Sequence, residues 1–306
     1  MSLKIVFMGT SEFSVPTFET LIKNKFNILS VYTQPPSRSN RGQKINASPI
    51  EEFSKKNKLN FRNPINLNSD EEFNIFKELS ADLVVVIAYG QIIPKKFLNT
   101  AKFGFINIHA SLLPKWRGAA PIQRAIMNGD KKTGVSVMKI EEKLDSGPVL
   151  ATKELELNQD STYIEIEKKL SKLGADLLIE SLKSINEEKT KFLTQIHSEA
   201  TYAKKINKNE TKINWNLDAN KVISHIHGLS SNPGAWFKYE NERFKVLRVK
   251  KSPASGKPGT VLDENLSVGC KSGSIQILEI QRQGKNKQST KDFLLGKKIV
   301  KDSVLN

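Results

Sequence analysis

Phe105-Ile106-Asn107-Ile108-His109-Ala110-Ser111-Leu112-Leu113-Pro114 is a short apolar run that carries two polar side chains and then breaks in a proline-closed turn. Residues two apart on an extended chain project to the same side, so Asn107 and His109 share one face of a strand. The turn places both at that strand's carboxyl end, where open α/β sheets hold their ligands. Upstream, residues 3–8, 27–33 and 83–87 are apolar runs of strand length, and 103–109 is the fourth. The run at 83–87 is rich in β-branched residues and has no polar face, as a central parallel strand requires. A helix to about Lys23 separates the first two runs. Strands alternating with helices predict an α/β fold with a doubly wound, mostly parallel sheet.

Residues 134–140 and 148–157 read as antiparallel additions to that sheet, and 161–185 as an amphipathic helix. The 201–210 stretch is polar and contains Lys204, Lys205 and Lys208, which reads as a basic linker. A helix near 219–227 and short apolar runs at 235–239, 244–249, 259–262, 267–270 and 274–281 follow, split by Gly and Asn turns. Short strands at that spacing predict a small β-barrel. The expected organisation is a catalytic domain over 1–200, a linker over 201–210 and a second domain over 211–306.

A chain of 306 residues can bury two cores. Its formal net charge is +16, and the excess is uneven: 30 basic against 23 acidic residues in 1–206, but 18 against nine in 207–306. That asymmetry favours a polyanionic partner, most simply nucleic acid. Cys270 is the single cysteine, so no intrachain disulfide and no thiolate-based metal site is expected. No apolar run approaches the roughly 20 residues of a membrane span, and the chain enters a strand almost at once. A cytoplasmic protein without a membrane association is the expectation.

Downstream of the Asn-His strand lies Asp145, in Leu144-Asp145-Ser146-Gly147. An amide, an imidazole and a carboxylate form a set suited to acyl transfer. The amide stabilises an oxyanion, the imidazole manages a proton, and the carboxylate fixes the imidazole's tautomer. A single strand histidine is usually structural, but the company of Asn107 and Asp145 shifts the balance towards chemistry. Gly9-Thr10 follows the first strand without the further glycines of a dinucleotide fingerprint, so a plain turn is read there and a dehydrogenase is disfavoured.

The polar loop 34–44 is long for a connection after a parallel strand and carries Arg38, Arg41 and Lys44, a composition suited to gripping the end of a nucleic acid. After the third strand, Tyr89, Gly90, Gln91 and Ile92 form an apolar loop whose backbone could bond the edge of a flat heterocycle, a simple strand exit being equally consistent. His225 and His227 precede Gly228 at a helix end, which suggests a favourable interaction with the helix dipole rather than metal ligation. His197 reads as a surface residue.

These stretches resemble the methionyl-tRNA formyltransferases, a family of folate-dependent formyltransferases, along the whole chain. The resemblance is carried by residues 5–13, the 33–44 loop, Tyr89-Gly90-Gln91-Ile92-Ile93-Pro94, and above all residues 107–122. Residues 213–216, 233–236 and 281–285 extend it into the second domain. It implies a Rossmann-like formyltransferase domain followed by an OB-like barrel, with Asn107, His109 and Asp145 as the catalytic trio. It further implies that Ser111, Leu112, Leu113 and Pro114 form a tetrahydrofolate-binding turn, that 10-formyltetrahydrofolate is the formyl donor, and that no metal takes part. The expected partner is methionyl-initiator tRNA, met by Arg41 at its acceptor end and by the barrel along its flank; a monomer is expected.

Departures from the family pattern are Asn40 where Gly is common, Ser146 where Thr is common, and His225 and His227 where Arg is familiar; none touches the trio. Three other readings are weaker. A glycinamide-nucleotide formyltransferase needs no second domain. An amino-sugar nucleotide formyltransferase does not explain the basic loop and cationic C-terminal part, and a non-catalytic tRNA-binding module does not need the trio.

Overall fold

The structure, a computed structural model, describes residues 3–39 and 44–306. Strands β1 (Lys4–Gly9) and β2 (Asn27–Tyr32) flank helix α1 (Val15–Lys23), and a short hairpin pairs β3 (Ser37–Ser39) with β4 (Lys44–Asn46). Next come α2 (Pro49–Lys56), β5 (Phe61–Arg62), α3 (Asp70–Glu78), β6 (Leu83–Ile87), α4 (Lys95–Leu98) and β7 (Phe105–His109). After α5 (Pro121–Asn128) run β8 (Lys132–Lys139), β9 (Val149–Glu156) and the long α6 (Tyr163–Asn186). The remainder holds α7 (Ala219–Leu229), β10 (Ala235–Tyr239), β11 (Glu242–Ser252), β12 (Ser267–Gly269), β13 (Ser274–Arg282), β14 (Lys287–Ser289) and α8 (Thr290–Gly296).

The chain forms two compact units, one of Met1–Arg117, Gly134–Glu154 and Lys168–Thr201, the other of Gly118–Thr133, Leu155–Glu167 and Tyr202–Asn306. In the first, seven strands run in the order β5-β2-β1-β6-β7-β8-β9. The pairs β5–β2, β2–β1, β1–β6 and β6–β7 are parallel, and β8 joins β7 antiparallel. Every residue of β6 is buried, which is why its sequence has no polar face. From β1 the chain winds one way to β2 and β5 and then the other way to β6 and β7, so the winding reverses between β1 and β6. Ligands of doubly wound sheets bind at that reversal. The core on one side of the sheet packs Val84, Val86 and Met8 against an aromatic cluster in which Phe76 meets Phe97 edge-on at 5.0 Å. Strand β7 starts at Phe105, two residues later than the sequence suggests, because Gly104 turns the chain at φ 75°.

The second unit is built on a curled antiparallel sheet, ordered β10-β11-β13-β12 with β14 on the other part of β13. Two register shifts, between Val246 and Val249, bend the eleven-residue β11, which lets one strand serve both ends of the curl. Residues 259–262, expected as a strand, make only single bridges from Thr260 to Val304 and from Val261 to Val268. Their backbone turns at Gly259, whose φ is 76°. The core beneath the sheet is Val222, Ile223 and Ile226 of α7 against Phe237, Phe244 and Ile277.

His227 corrects the helix-dipole expectation. It is fully buried: its Nδ1 donates to the Gln159 carbonyl at 3.0 Å and its Nε2 accepts from the Val249 N–H at 3.2 Å. Both ring nitrogens are thus used by a neutral imidazole, and burial holds its pKa below the ordinary histidine value. The 201–210 stretch is docked through its backbone: Ala203 is buried and accepts from the Ala120 N–H, while the Arg124 guanidinium donates to the Lys204 and Lys205 carbonyls and pairs with Glu210.

Candidate active site

Strand β7 carries Asn107 and His109 to the carboxyl end of the parallel strands. Its pairing places Asn107 between Val86 of β6 and Met138 of β8, and His109 beside Ser136. The imidazole is 6% exposed, and its Nε2 lies 2.9 Å from the Trp116 carbonyl. A carbonyl only accepts, so Nε2 carries a proton there and the neutral ring presents its lone pair at Nδ1. Nδ1 faces Asp145 Oδ2 at 3.6 Å, an ion-pair distance once the ring is protonated but too long for a hydrogen bond. The tautomer is therefore set by Trp116, not by Asp145 as the residue types suggested. Asn107 is half-buried, and its side-chain amide makes no hydrogen bond among the described residues.

Asp145 sits in a loop that folds back on β8. Its φ is 46°, the left-handed region that non-glycine residues seldom occupy. The loop closes because Gly147 approaches the chain ahead of it so tightly that a Cβ there would collide with the Lys139 carbonyl oxygen. That steric fact explains the glycine two residues after Asp145. Ser146 is buried and its hydroxyl donates to the Lys143 carbonyl, which a threonine in its place could also do.

The 111–114 turn is held from inside. The buried Ser111 donates its hydroxyl to the Lys115 carbonyl at 2.6 Å, so that hydroxyl is spent on closing the turn. Ser136 on β8 donates to the Ser111 carbonyl and accepts from the Leu113 N–H. Leu112 lies over Gly134, filling the space a Cβ would need, and Leu113 and Pro114 are half-buried. The turn delivers Trp116 at φ 60°, with the orientation that aims its carbonyl at His109.

Three strand ends meet at the β1/β6 reversal. The Thr10 hydroxyl donates to the Tyr89 carbonyl at 2.7 Å and accepts from the Gln34 N–H at 3.2 Å. Tyr89 points inward, where burial and the nearby Glu72 carboxylate push its phenol well above the ordinary tyrosine pKa. Gly90, at φ 83°, is exposed, and the Gln34 side chain occupies the space a Cβ would need. Gln91 donates to the Pro64 carbonyl at 3.0 Å, and Ile92 is 91% exposed. The loop's ligand-facing candidates are therefore its backbone and Ile92, not the Tyr89 ring.

Of the basic residues singled out in the sequence, Arg38 and Lys44 lie on the β3–β4 hairpin and Arg41 falls outside the described residues. Lys204, Lys205 and Lys208 are exposed in the second unit. Among the described residues no group of His, Cys, Asp or Glu is arranged to hold a metal ion.

The sequence profile of the formyl transferase domain matches residues 3–182, and that of the formyl transferase C-terminal domain matches 205–298. The chain belongs to the formyl transferase family. It is 49% identical over 305 residues to the methionyl-tRNA formyltransferase of Pelagibacter ubique (strain HTCC1062), covering 99% of this chain and 98% of that one. It is 43% identical to the methionyl-tRNA formyltransferase of Chelativorans sp. (strain BNC1), covering 98% of each. Among solved structures, WlaRD, a sugar 3N-formyl transferase crystallised with dTDP and 5-N-formyl-THF, superposes with a TM-score of 0.68 at 20% identity, covering 94% of this chain and all of that one. At that identity the likeness is one of fold.

Three participants in this family member's site escaped sequence reasoning: the Trp116 carbonyl, Arg117 and Gln195. The first two lie inside the motif that carries the resemblance, so only their roles were hidden. Gln195 lies in a stretch with no motif and gave no signal.

Proposed function

We propose that this chain transfers the formyl group of 10-formyltetrahydrofolate to the α-amino group of methionyl-initiator tRNA in the cytoplasm, giving the formylated initiator used in translation, and that it works as a monomer without a metal. The observation that carries the reading is an Asn107 amide without a hydrogen-bond partner among the described residues, two residues from an imidazole that lies between a carbonyl and a carboxylate. The substrate is argued from the relatives named above and from the cationic C-terminal part.

The residues present fit a folate. The exposed Ala88 and Gly90 open the backbone of a strand-end loop at the sheet's reversal, with Ile92 as an apolar face beside it. Leu112, Leu113 and Pro114, in the turn that follows His109, are half-buried apolar residues. When bound, the folate supplies an activated formyl carbon. Asn107 Nδ2 donates to the formyl oxygen as it gains charge, an interaction worth about 10²–10³ in rate. His109, its Nε2–H committed to Trp116, receives the amine's proton at Nδ1, Asp145 stabilises the imidazolium that results, and as the bond from the formyl carbon to the folate nitrogen breaks His109 returns that proton to the leaving nitrogen. Arg38, Arg41 and Lys44 bind the tRNA acceptor end, and Lys204, Lys205 and Lys208 bind its phosphates. In this reading residues 1–200 carry the chemistry, and 211–306 hold the RNA on an OB-like surface joined through 201–210.

The test is incubation of the purified protein with 10-formyltetrahydrofolate and each of three acceptors: charged initiator tRNA, uncharged tRNA and a dTDP-linked amino sugar. Formyl label is expected on the charged tRNA alone. Label on the sugar and not on the tRNA overturns the assignment.

A further inference from the structure

Gln195 stands outside every motif and is 6% exposed, yet it uses all of its amide's principal hydrogen-bonding capacity on two loops of the site. Its Oε1 accepts from the Arg117 guanidinium twice, from Nε at 3.1 Å and from a terminal nitrogen at 2.7 Å. Its Nε2 donates to the Asp145 carbonyl at 2.9 Å and to the Gly147 carbonyl at 2.6 Å. Arg117, 3% exposed, follows Trp116 directly, and its guanidinium also donates to His197 Nδ1 at 3.0 Å. The contacts close a ring: His109 to the Trp116 carbonyl, along the chain to Arg117, across Gln195 to the Asp145 backbone, and through the Asp145 carboxylate back to His109.

We infer that Gln195 is a positioning residue for formyl transfer, fastening the loop that orients one side of the His109 ring to the loop that carries the charge on its other side. The inference rests on the proposed roles of His109 and Asp145. Both loops are held in conformations that need an outside constraint, since Trp116 and Asp145 are left-handed at φ 60° and 46°. Only a primary amide serves here. The guanidinium requires an acceptor and the two carbonyls require donors, and a glutamine side chain presents both from one plane. A glutamate keeps the bond to Arg117 but turns an oxygen towards two carbonyl oxygens, so it holds one loop and repels the other.

Gln195→Glu, which retains a partner for the buried arginine, is the informative variant, with Gln195→Ala beside it and His109→Ala as the reference. For Gln195→Glu we expect kcat to fall about 10- to 100-fold, KM for tRNA and folate to stay within about threefold, and the His109 ring ¹⁵N resonances to move, with a lowered melting temperature but a protein fully folded at the assay temperature. Should Gln195→Ala fold, its kcat is expected to fall as far. A Gln195→Glu protein with wild-type kcat and unmoved His109 resonances overturns the inference, as does a loss of kcat that merely tracks the fraction unfolded. If His109→Ala is itself fully active, the reading of the site fails; if it is inactive while Gln195→Glu is normal, only the role of Gln195 fails.

Discussion

His109 is hydrogen-bonded at one ring nitrogen and faces a carboxylate at the other, and that asymmetry decides what each neighbour can do. The Trp116 carbonyl is a fixed acceptor supplied by the backbone, so no side-chain substitution at 116 removes it. The Asp145 carboxylate lies 3.6 Å from Nδ1, and in the proposed mechanism it acts through its charge when the ring takes up a proton. Asp145→Asn keeps the backbone carbonyl that Gln195 binds and removes only that charge, so the protein should stay folded while kcat drops about 10²-fold or more. Steady-state kinetics beside a thermal melt checks this; near-normal kcat in the Asp145→Asn variant removes the carboxylate from the chemistry. The residue types of the trio and the strand face shared by Asn107 and His109 were legible in the sequence. The hydrogen bond that selects the tautomer was not, because backbone acceptors leave no trace in side-chain chemistry.

Among the strands and helices, pairing decided which expectations survived. Strand β6 was readable because a strand buried on both faces must be apolar throughout, whereas 259–262 had a strand's composition and found no continuous partner. The buried imidazole of α7 ties the Gln159 turn to β11 and carries a pH signature. His225 and His227 both have pKa values lowered chiefly by burial, so the unfolded chain binds protons that the folded chain does not. Stability is then complete above the unfolded histidine pKa of about 6.5 and is lost as the pH falls below it. The depressed carboxylates Glu165 and Glu210 add their own loss only at lower pH, below the ordinary glutamate value. We predict that urea unfolding followed by tryptophan fluorescence weakens between pH 7.5 and 5.5. In His227→Ala this slope shrinks, and stability at pH 7.5 drops by about 2–5 kcal/mol as two buried backbone groups lose their partner. Equal slopes in the two proteins would contradict the role given to His227.

Across the chain as a whole, charge distribution is the property that the sequence displayed most directly. It bears on association rather than on fold. If the exposed Lys204, Lys205 and Lys208 meet phosphates, KM for tRNA should rise steeply with salt while KM for folate barely changes. Replacing all three by alanine should then reduce the slope of log KM against log salt by about two to three, since each phosphate contact on a nucleic acid contributes roughly 0.7–0.9. An unchanged slope excludes these lysines from the RNA surface.

In the proposed mechanism, formyl transfer depends on the Asn107 amide at a strand end, without a hydrogen-bond partner among the described residues, stabilising charge on the formyl oxygen while the amine attacks. The deciding quantity is the single-turnover rate of formyl transfer to methionyl-tRNA at saturating folate, compared between the wild-type protein and Asn107→Ala. A fall of about 10²–10³-fold with folate affinity unchanged is expected; a rate within about threefold of wild type would refute the role of the amide.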